Sequence, residues 1–362
     1  MAPELPATPQ PRPAIASMHP YEWEPPSAEI ARQAGVPEEE VVRFDTNTFP
    51  WPGAALDRLP PQPLNEYPDT SYGALTEAIG QYADVPTDWI TVGAGADEVL
   101  DMVGRSFIAE AARAVISRPT YPMFTVLTEL AGGALDAVPA IDLHLDRSAF
   151  VEHAREAKLT WLANPNNPTG ELVPLDFIEH VAASSSGVVV VDEAYYELSG
   201  VTAVGLIDRF PNLVVVRTLS KGFSLAGARV GYALAGPSIG SVLRRVRPPG
   251  SVSVTSAALG VLALQDVDGM RQRVALIKSE RERLRSQLTS VGFEVRESAA
   301  NFLLLRTGRQ AAPALLREGL VVRTFASNSP LADYIRVTVR RPEQNARLVS
   351  ALQRSPATTA RD

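Results

Sequence analysis

The stretch Leu213-Val214-Val215-Val216-Arg217-Thr218-Leu219-Ser220-Lys221-Gly222-Phe223-Ser224-Leu225-Ala226-Gly227-Ala228-Arg229 decides how the chain is read. Its first four residues are apolar and largely β-branched, the signature of a buried strand. Lys221 then falls just past the strand's carboxyl end, where open α/β sheets place their ligands. Most lysines are solvated surface charges, but the neighbours of this one suit an anion. Ser220 offers a hydroxyl and Arg229 a fixed cation, while Gly222, Ala226, Gly227 and Ala228 let a ligand or backbone approach closely. A lysine beside such a phosphate site suggests Schiff-base chemistry on pyridoxal phosphate, in which the amine holds the cofactor and later moves protons.

Working outward, the same strand-then-turn pattern recurs. Gly187–Val191 is a continuous apolar strand, as at the centre of a parallel sheet, and it runs into Asp192-Glu193-Ala194-Tyr195. An acid at the end of a buried strand is costly unless paired; on these residues alone the pair could equally bind Mg²⁺ or cap a helix. Leu159–Ala163 runs into Asn164-Pro165-Asn166-Asn167-Pro168-Thr169-Gly170, a stiff turn whose amides can donate to an anionic oxygen. Trp89–Val92 leads to Gly93-Ala94-Gly95-Ala96-Asp97-Glu98, which opens the amphipathic run Val99–Ala111. A glycine-rich turn into a helix offers free N–H groups to an anion, although many such turns bind nothing. Ala114–Ser117 is a short strand followed by Arg118-Pro119-Thr120-Tyr121, where a rigid aromatic can stack on a planar ring.

Thr-Leu-Ser-Lys followed at the eighth residue by Arg229 resembles the cofactor-lysine motif of fold-type I aminotransferases. Leu225-Ala-Gly-Ala-Arg-Val-Gly-Tyr232 resembles the histidinol-phosphate aminotransferase branch in particular. The resemblance runs from about Tyr21 to Leu352. It implies an α/β fold: a three-layer αβα large domain with a mostly parallel sheet, plus a small αβ domain. It implies pyridoxal 5′-phosphate, with Lys221 as the Schiff-base lysine and proton carrier, and Asp192 facing the pyridine nitrogen. Tyr121 would stack on the ring, Asn167 and Tyr195 would reach its phenolic oxygen, and Gly95, Ala96, Asp97, Ser220 and Arg229 would hold the phosphate. Tyr67, in Asn65-Glu66-Tyr67-Pro68-Asp69, would reach the partner subunit's cofactor phosphate, which implies a homodimer. Tyr21, Asn47, Arg323 and Arg336 would line the substrate site. The partners implied are a small-molecule amino donor, L-histidinol phosphate as the best match, and a 2-oxo acid acceptor such as 2-oxoglutarate.

Two positions depart from the family pattern. Thr46-Asn47-Thr48-Phe49-Pro50 stands where the family has Asn-Glu-Asn-Pro, and Arg340 stands where it has glycine. The first leaves the donor open, so an aromatic or specialised-metabolite aminotransferase is the alternative, beside a threonine-phosphate-type decarboxylase. The second either adds charge to the site or alters the turn.

The remaining chain reads as follows. Residues 1–16, rich in proline and alanine, are expected to be a disordered tail; residues 17–44 join the small domain, with a helix capped by Ser27 and stopped by Gly35, then the strand Val41–Phe44. Residues 45–245 form the large domain, closed by the strand Val230–Ala233. Residues 246–356 form the small C-terminal domain: a long amphipathic region over 256–288, then strands at Phe293–Val295, Asn301–Leu305, Leu320–Arg323 and Tyr334–Val339, with 357–362 a tail. An arginine inside an apolar strand, as at Arg323 and Arg336, needs an anion.

With 362 residues, 45% of them hydrophobic, the chain can bury a large core. A net charge of −7 argues against general nucleic-acid binding, which needs a basic excess. With no cysteine and four scattered histidines, disulfides and thiolate metal sites are excluded and a structural metal is not expected. No apolar run is long enough for a membrane span and no signal peptide is visible, which gives a cytoplasmic expectation.

Overall fold

The computed structural model describes residues 10–16, 18, 25–53 and 58–354. In chain order its strands are β1 (Val42–Arg43), β2 (Ile90–Gly93), β3 (Arg113–Arg118), β4 (Ala134–Pro139), β5 (Leu159–Ala163), β6 (Val188–Asp192), β7 (Leu213–Thr218), β8 (Gly231–Ala235), β9 (Glu294–Val295), β10 (Phe302–Arg306), β11 (Leu320–Val321) and β12 (Tyr334–Thr338). Seven of them form one sheet in the order β2-β8-β7-β6-β5-β3-β4. Neighbours from β4 across to β7 pair in parallel, whereas β8 is antiparallel to both β7 and β2. Strand β2 therefore runs the same way as β7. The carboxyl ends of β2, β3, β5, β6 and β7 all open on one edge, and that is how residues far apart in sequence come to share a site.

Strand composition explains why the sheet is covered on both faces. Along β6, Val189 and Val191 enter one core cluster while Val188 and Val190 enter another on the opposite face. Strand β7 divides in the same way, Leu213 and Val215 against Val214 and Val216. Side chains alternate with period two, so a strand apolar at every position must be buried on both sides. Helices Gly73–Ala83, Arg147–Ala154 and Leu175–Ser184 supply residues to the first cluster, and Gly95–Phe107, Pro122–Leu130 and Pro237–Val246 to the second.

A third cluster is the core of the small domain. It combines Val42 and Phe44 with Leu303, Leu305, Ile335 and Val337, and with helix residues such as Leu284 and Leu348. Strand β1 pairs in parallel with β11, and the Thr338 N–H donates to Phe44 O at 2.7 Å. Val42–Phe44 thus joins β11 and β12.

Three local expectations are corrected. The region 256–288 is two helices, Val254–Leu264 and Val267–Ser290, broken at Gln265 and Asp266; Asp266 leaves helical geometry and its carboxylate pairs with Arg273 at 3.5 Å. Ser27 is the first helical residue, Pro26 taking the cap position, while Gly35 ends the helix in the left-handed conformation as expected. Within 1–16, expected to be a disordered tail, residues 13–16 form a helical turn, and Arg12 donates to Leu130 O at 2.9 Å.

Gly231 on β8 sits against the start of helix Gly95–Phe107. A methyl group there would collide with the backbone of Gly95 and Ala96. Gly231→Ala is expected to lower stability by about 2 kcal/mol or more, read from the midpoint of denaturant unfolding. An unchanged midpoint would show that the helix is free to move.

Candidate active site

A cavity of about 560 Å³ opens at the carboxyl edge of the sheet. Of the residues expected at the site, Ala96, Asp97, Tyr121, Asn167, Asp192, Tyr195, Ser220, Lys221 and Arg229 line it, together with Asn47, Arg323 and Arg336. Gly95 lies one residue before Ala96, at the helix start. Tyr67 is outside the cavity and 95% exposed. Tyr21 lies outside the described residues.

Strand β6 delivers Asp192 and β7 delivers Lys221 through the turn after Thr218. Asp192 is buried, and its carboxylate accepts one hydrogen bond among the described residues, from Ala194 N at 3.0 Å. Burial raises its pKa from the usual carboxylate range to about 7, because a charge in a dry site lacks hydration. Lys221 is moved the other way. Burial, reinforced by the Arg336 charge, holds its amine down at about 8. Nζ donates to Asn47 O at 3.2 Å. The Tyr195 hydroxyl, pushed up to about 12 by burial, accepts from Asn47 Nδ2 at 2.9 Å, which leaves its own hydrogen to be offered into the cavity.

The anion cradle is built on backbone. Helix Gly95–Phe107 is preceded by Ala94 at the cap position, which has no side-chain oxygen to offer the first N–H groups. Gly95 takes φ +81°, and a Cβ there would run into the Arg229 guanidinium. Arg229 Nη2 donates to Asp97 Oδ2 at 3.1 Å, and the Tyr121 hydroxyl donates to Asp97 Oδ1 at 2.8 Å. The Asp97 carboxylate is therefore spent on orienting the ring and the cation, so any phosphate contact from this residue falls to its N–H. Ser220 is fixed by Thr218, whose Oγ1 accepts from Ser220 N at 3.1 Å and lies 2.8 Å from Ser220 Oγ.

On the small-domain side, Arg336 Nη1 donates to Asn167 Oδ1 and Nη2 to Asp45 O, each at 2.6 Å. Arg323 and Arg336 exchange backbone hydrogen bonds at 3.1 and 2.9 Å, and both line the cavity. Arg340 is not in the cavity wall. Its Nη1 donates to Thr48 O and Thr48 Oγ1, both at 3.2 Å, so it fastens the 46–50 loop.

Sequence reasoning missed three features. Thr218 carries no signal of its own beside the lysine motif, yet it holds Ser220. Asp45, held by Arg43 through Nε at 2.9 Å and Nη2 at 2.7 Å, also lines the cavity. Arg217, within the apolar run of β7, carries the same signal as Arg323 and Arg336: a buried arginine needs an anion. That anion is Glu193, at 3.0 Å. Because Glu193 is committed to Arg217, the Asp192–Glu193 pair is not a shared metal site.

A buried acid, an amine with a depressed pKa, an aromatic wall and an uncapped helix start form a donor set that fits pyridoxal phosphate. The family model for aminotransferase class I and II matches residues 42–352. Over 362 aligned residues the chain is 35% identical to a histidinol-phosphate aminotransferase of Roseiflexus castenholzii, covering 94% of this chain and 97% of that one. It is 39% identical over 292 residues to the enzyme of that name from Thermococcus kodakarensis, covering 80% and 84%. The crystal structure of histidinol-phosphate aminotransferase from Sinorhizobium meliloti in complex with pyridoxal-5′-phosphate superposes with a TM-score of 0.86 at 26% identity, covering 96% and 97%. The chain belongs to the class I and II aminotransferases of fold type I, and within them it is histidinol-phosphate aminotransferase-like.

Proposed function

We propose that this protein is a pyridoxal-phosphate-dependent aminotransferase that takes the amino group of L-histidinol phosphate and passes it to a 2-oxo acid such as 2-oxoglutarate. The observation that carries the reading is the opening of Lys221 and Asp192, with opposed pKa shifts, into one cavity. Asp192 would face the pyridine nitrogen, Tyr121 the ring, and Asn167 and Tyr195 the phenolic oxygen. The N–H groups of Gly95, Ala96 and Asp97, with Ser220 and Arg229, would hold the phosphate. When bound, the cofactor supplies a sink for the electrons left on the substrate carbon.

Lys221 Nζ would hold the cofactor and would serve as the base that takes the proton from the substrate carbon. With a pKa of about 8, roughly a tenth of the amine is unprotonated at pH 7, against about three in ten thousand for an ordinary lysine. Arg336 and Arg323, on the small-domain side, would read the donor's anionic end. Tyr67 and Leu64, exposed at 95% and 78%, support a homodimer in which Tyr67 reaches the partner's site. A cytoplasmic setting belongs to the same proposal; among the described residues no helix is long and apolar enough to cross a membrane.

Purified protein supplied with pyridoxal phosphate is expected to show a visible absorption band that Lys221→Ala abolishes. Histidinol phosphate should bleach it at lower concentration than phenylalanine or tyrosine. Absence of the band would overturn the cofactor assignment, and preferential bleaching by an aromatic amine would overturn the donor. Arg323→Ala should raise the KM for the phosphorylated donor about tenfold or more while changing that for phenylalanine little.

Asp192→Asn is expected to cut turnover on the order of 10²-fold or more. Its effect on the cofactor-free chain has the opposite sign. Asp192 binds its proton more tightly folded than unfolded, so its stabilising contribution is full below about pH 4 and is lost as pH rises through about 7. The melting temperature of Asp192→Asn relative to the parent should therefore climb between pH 5 and pH 8. A constant difference would mean that the carboxylate is not desolvated.

A further inference from the structure

Asn47 is held more tightly than a substrate ligand requires. It is 3% exposed and its backbone sits in the left-handed region at φ 53°, which asparagine tolerates better than most residues. Its N–H donates to Thr338 Oγ1 at 2.9 Å, and the single Thr338 hydroxyl hydrogen lies within reach of Phe44 O at 2.8 Å and Asn47 Oδ1 at 3.1 Å. Its side-chain nitrogen is spent on Tyr195. What the residue turns to the cavity is its carbonyl oxygen, which accepts from Lys221 Nζ at 3.2 Å and from Asn301 Nδ2 at 3.0 Å.

We propose that Asn47 is a positioning residue for Lys221: its left-handed backbone, clamped by Thr338 and Asn301 of the small domain, aims a carbonyl oxygen at Nζ and so holds the amine over the cavity. A lysine stem has four rotatable bonds and about 2 kcal/mol of rotamer entropy, so a buried amine needs an anchor to stay in one place. Among the described residues the hydrogen bond that Nζ makes is this one. The charges around it oppose each other, Asp97 and Asp192 drawing the ammonium and Arg336 and Arg229 repelling it, while the Tyr195 ring lies 5.6 Å from Nζ. None of these fixes a direction as a hydrogen bond does. The carbonyl also binds an ammonium more strongly than a neutral amine, so it offsets part of the burial that lowers the lysine's pKa.

The importance of this for transamination rests on the proposed role of Lys221; the titration of the amine does not. The test is competitive labelling of the full chain with trace acetic anhydride, with mass spectrometry following acetylation of Lys221 from pH 6 to pH 10. Asn47→Gly keeps both the carbonyl and the left-handed backbone, and its midpoint should stay within about 0.3 unit of the parent. In Asn47→Val a β-branched residue resists that backbone, and the midpoint should fall by about one unit, with Lys221 labelling faster than in the parent below it. Thr338→Val leaves Asn47 itself intact and removes its clamp. It should shift the midpoint in the same direction, and it carries the test if Asn47→Val does not fold. Equal midpoints in the parent, the folded valine variants and Asn47→Gly would overturn the proposal, and so would a shift in Asn47→Gly as large as that in Asn47→Val. Protection of Lys221 by pyridoxal phosphate in the parent, measured in the same experiment, tests the functional reading separately.

Discussion

The ion pair between Glu193 and Arg217 is the contact on which the site's geometry depends. Both side chains are sealed from water, at 0% and 2% exposure, and Nε meets Oε2 at 3.0 Å. The second Glu193 oxygen accepts from Ala203 N at 2.6 Å, Thr202 donates to the carboxylate at 2.8 Å, and the guanidinium lies 3.6 Å from the Tyr196 ring centroid. Burying two charges is costly and such a pair is weak evidence for net stability. Its consequence here is positional. Glu193 follows Asp192 at the end of β6, and Arg217 on β7 lies four residues before Lys221, so the pair locks together the carboxyl ends of the two strands that lead to Asp192 and Lys221.

Forward of that lock, the site keeps its charged groups out of balance. Burial moves Asp192 up to about 7 and Lys221 down to about 8, and behind the Lys221 turn Glu197 is also raised to about 7. A ligand that brings a cation to Asp192 and an anion to the helix start at Gly95 compensates both ends at once. The same burial brings the Lys221 amine down to about 8, close to the neutral range in which a general base works best. Fold and chemistry are linked here because a sheet buried on both faces leaves its strand ends as the place for polar groups.

What the sequence made legible follows from range. Apolar runs at 187–191 and 213–216, and the run 159–163 interrupted by Thr160, became central strands because a strand so rich in apolar residues is stable only when buried on both faces, and the turns after them carried Asn167, Asp192 and Lys221 to the cavity. The break at Asp266 has a local trace in Gln265-Asp266 and Gly269 that an amphipathic reading of 256–288 does not weigh: Asp266 leaves helical geometry, packs against Gly269 and pairs with Arg273. Asn47 was visible as a site residue, but its attachment to Thr338, 291 positions away, leaves no local trace. Arg340 could have added charge to the site or changed the turn, and only the contact with Thr48 decides for the loop.

Those long-range contacts give the active site two owners. The sheet edge supplies Asp192, Tyr195, Lys221 and the cradle, whereas the 45–50 loop is tied to the carboxyl-terminal part of the chain by Thr338 through Asn47, by Arg340 through Thr48, and by Arg341, which donates to Pro50 O at 3.3 Å. Arg336 completes the link by bonding Asn167 of the large domain and Asp45 of the loop from one guanidinium. Any movement of the small domain must therefore carry Asn47 and Arg336 together relative to Lys221. An anion that engaged Arg336 would compete for its hydrogen bonds to Asn167 and Asp45, so under the proposed function substrate recognition and the placement of the Lys221 amine would draw on the same set of contacts.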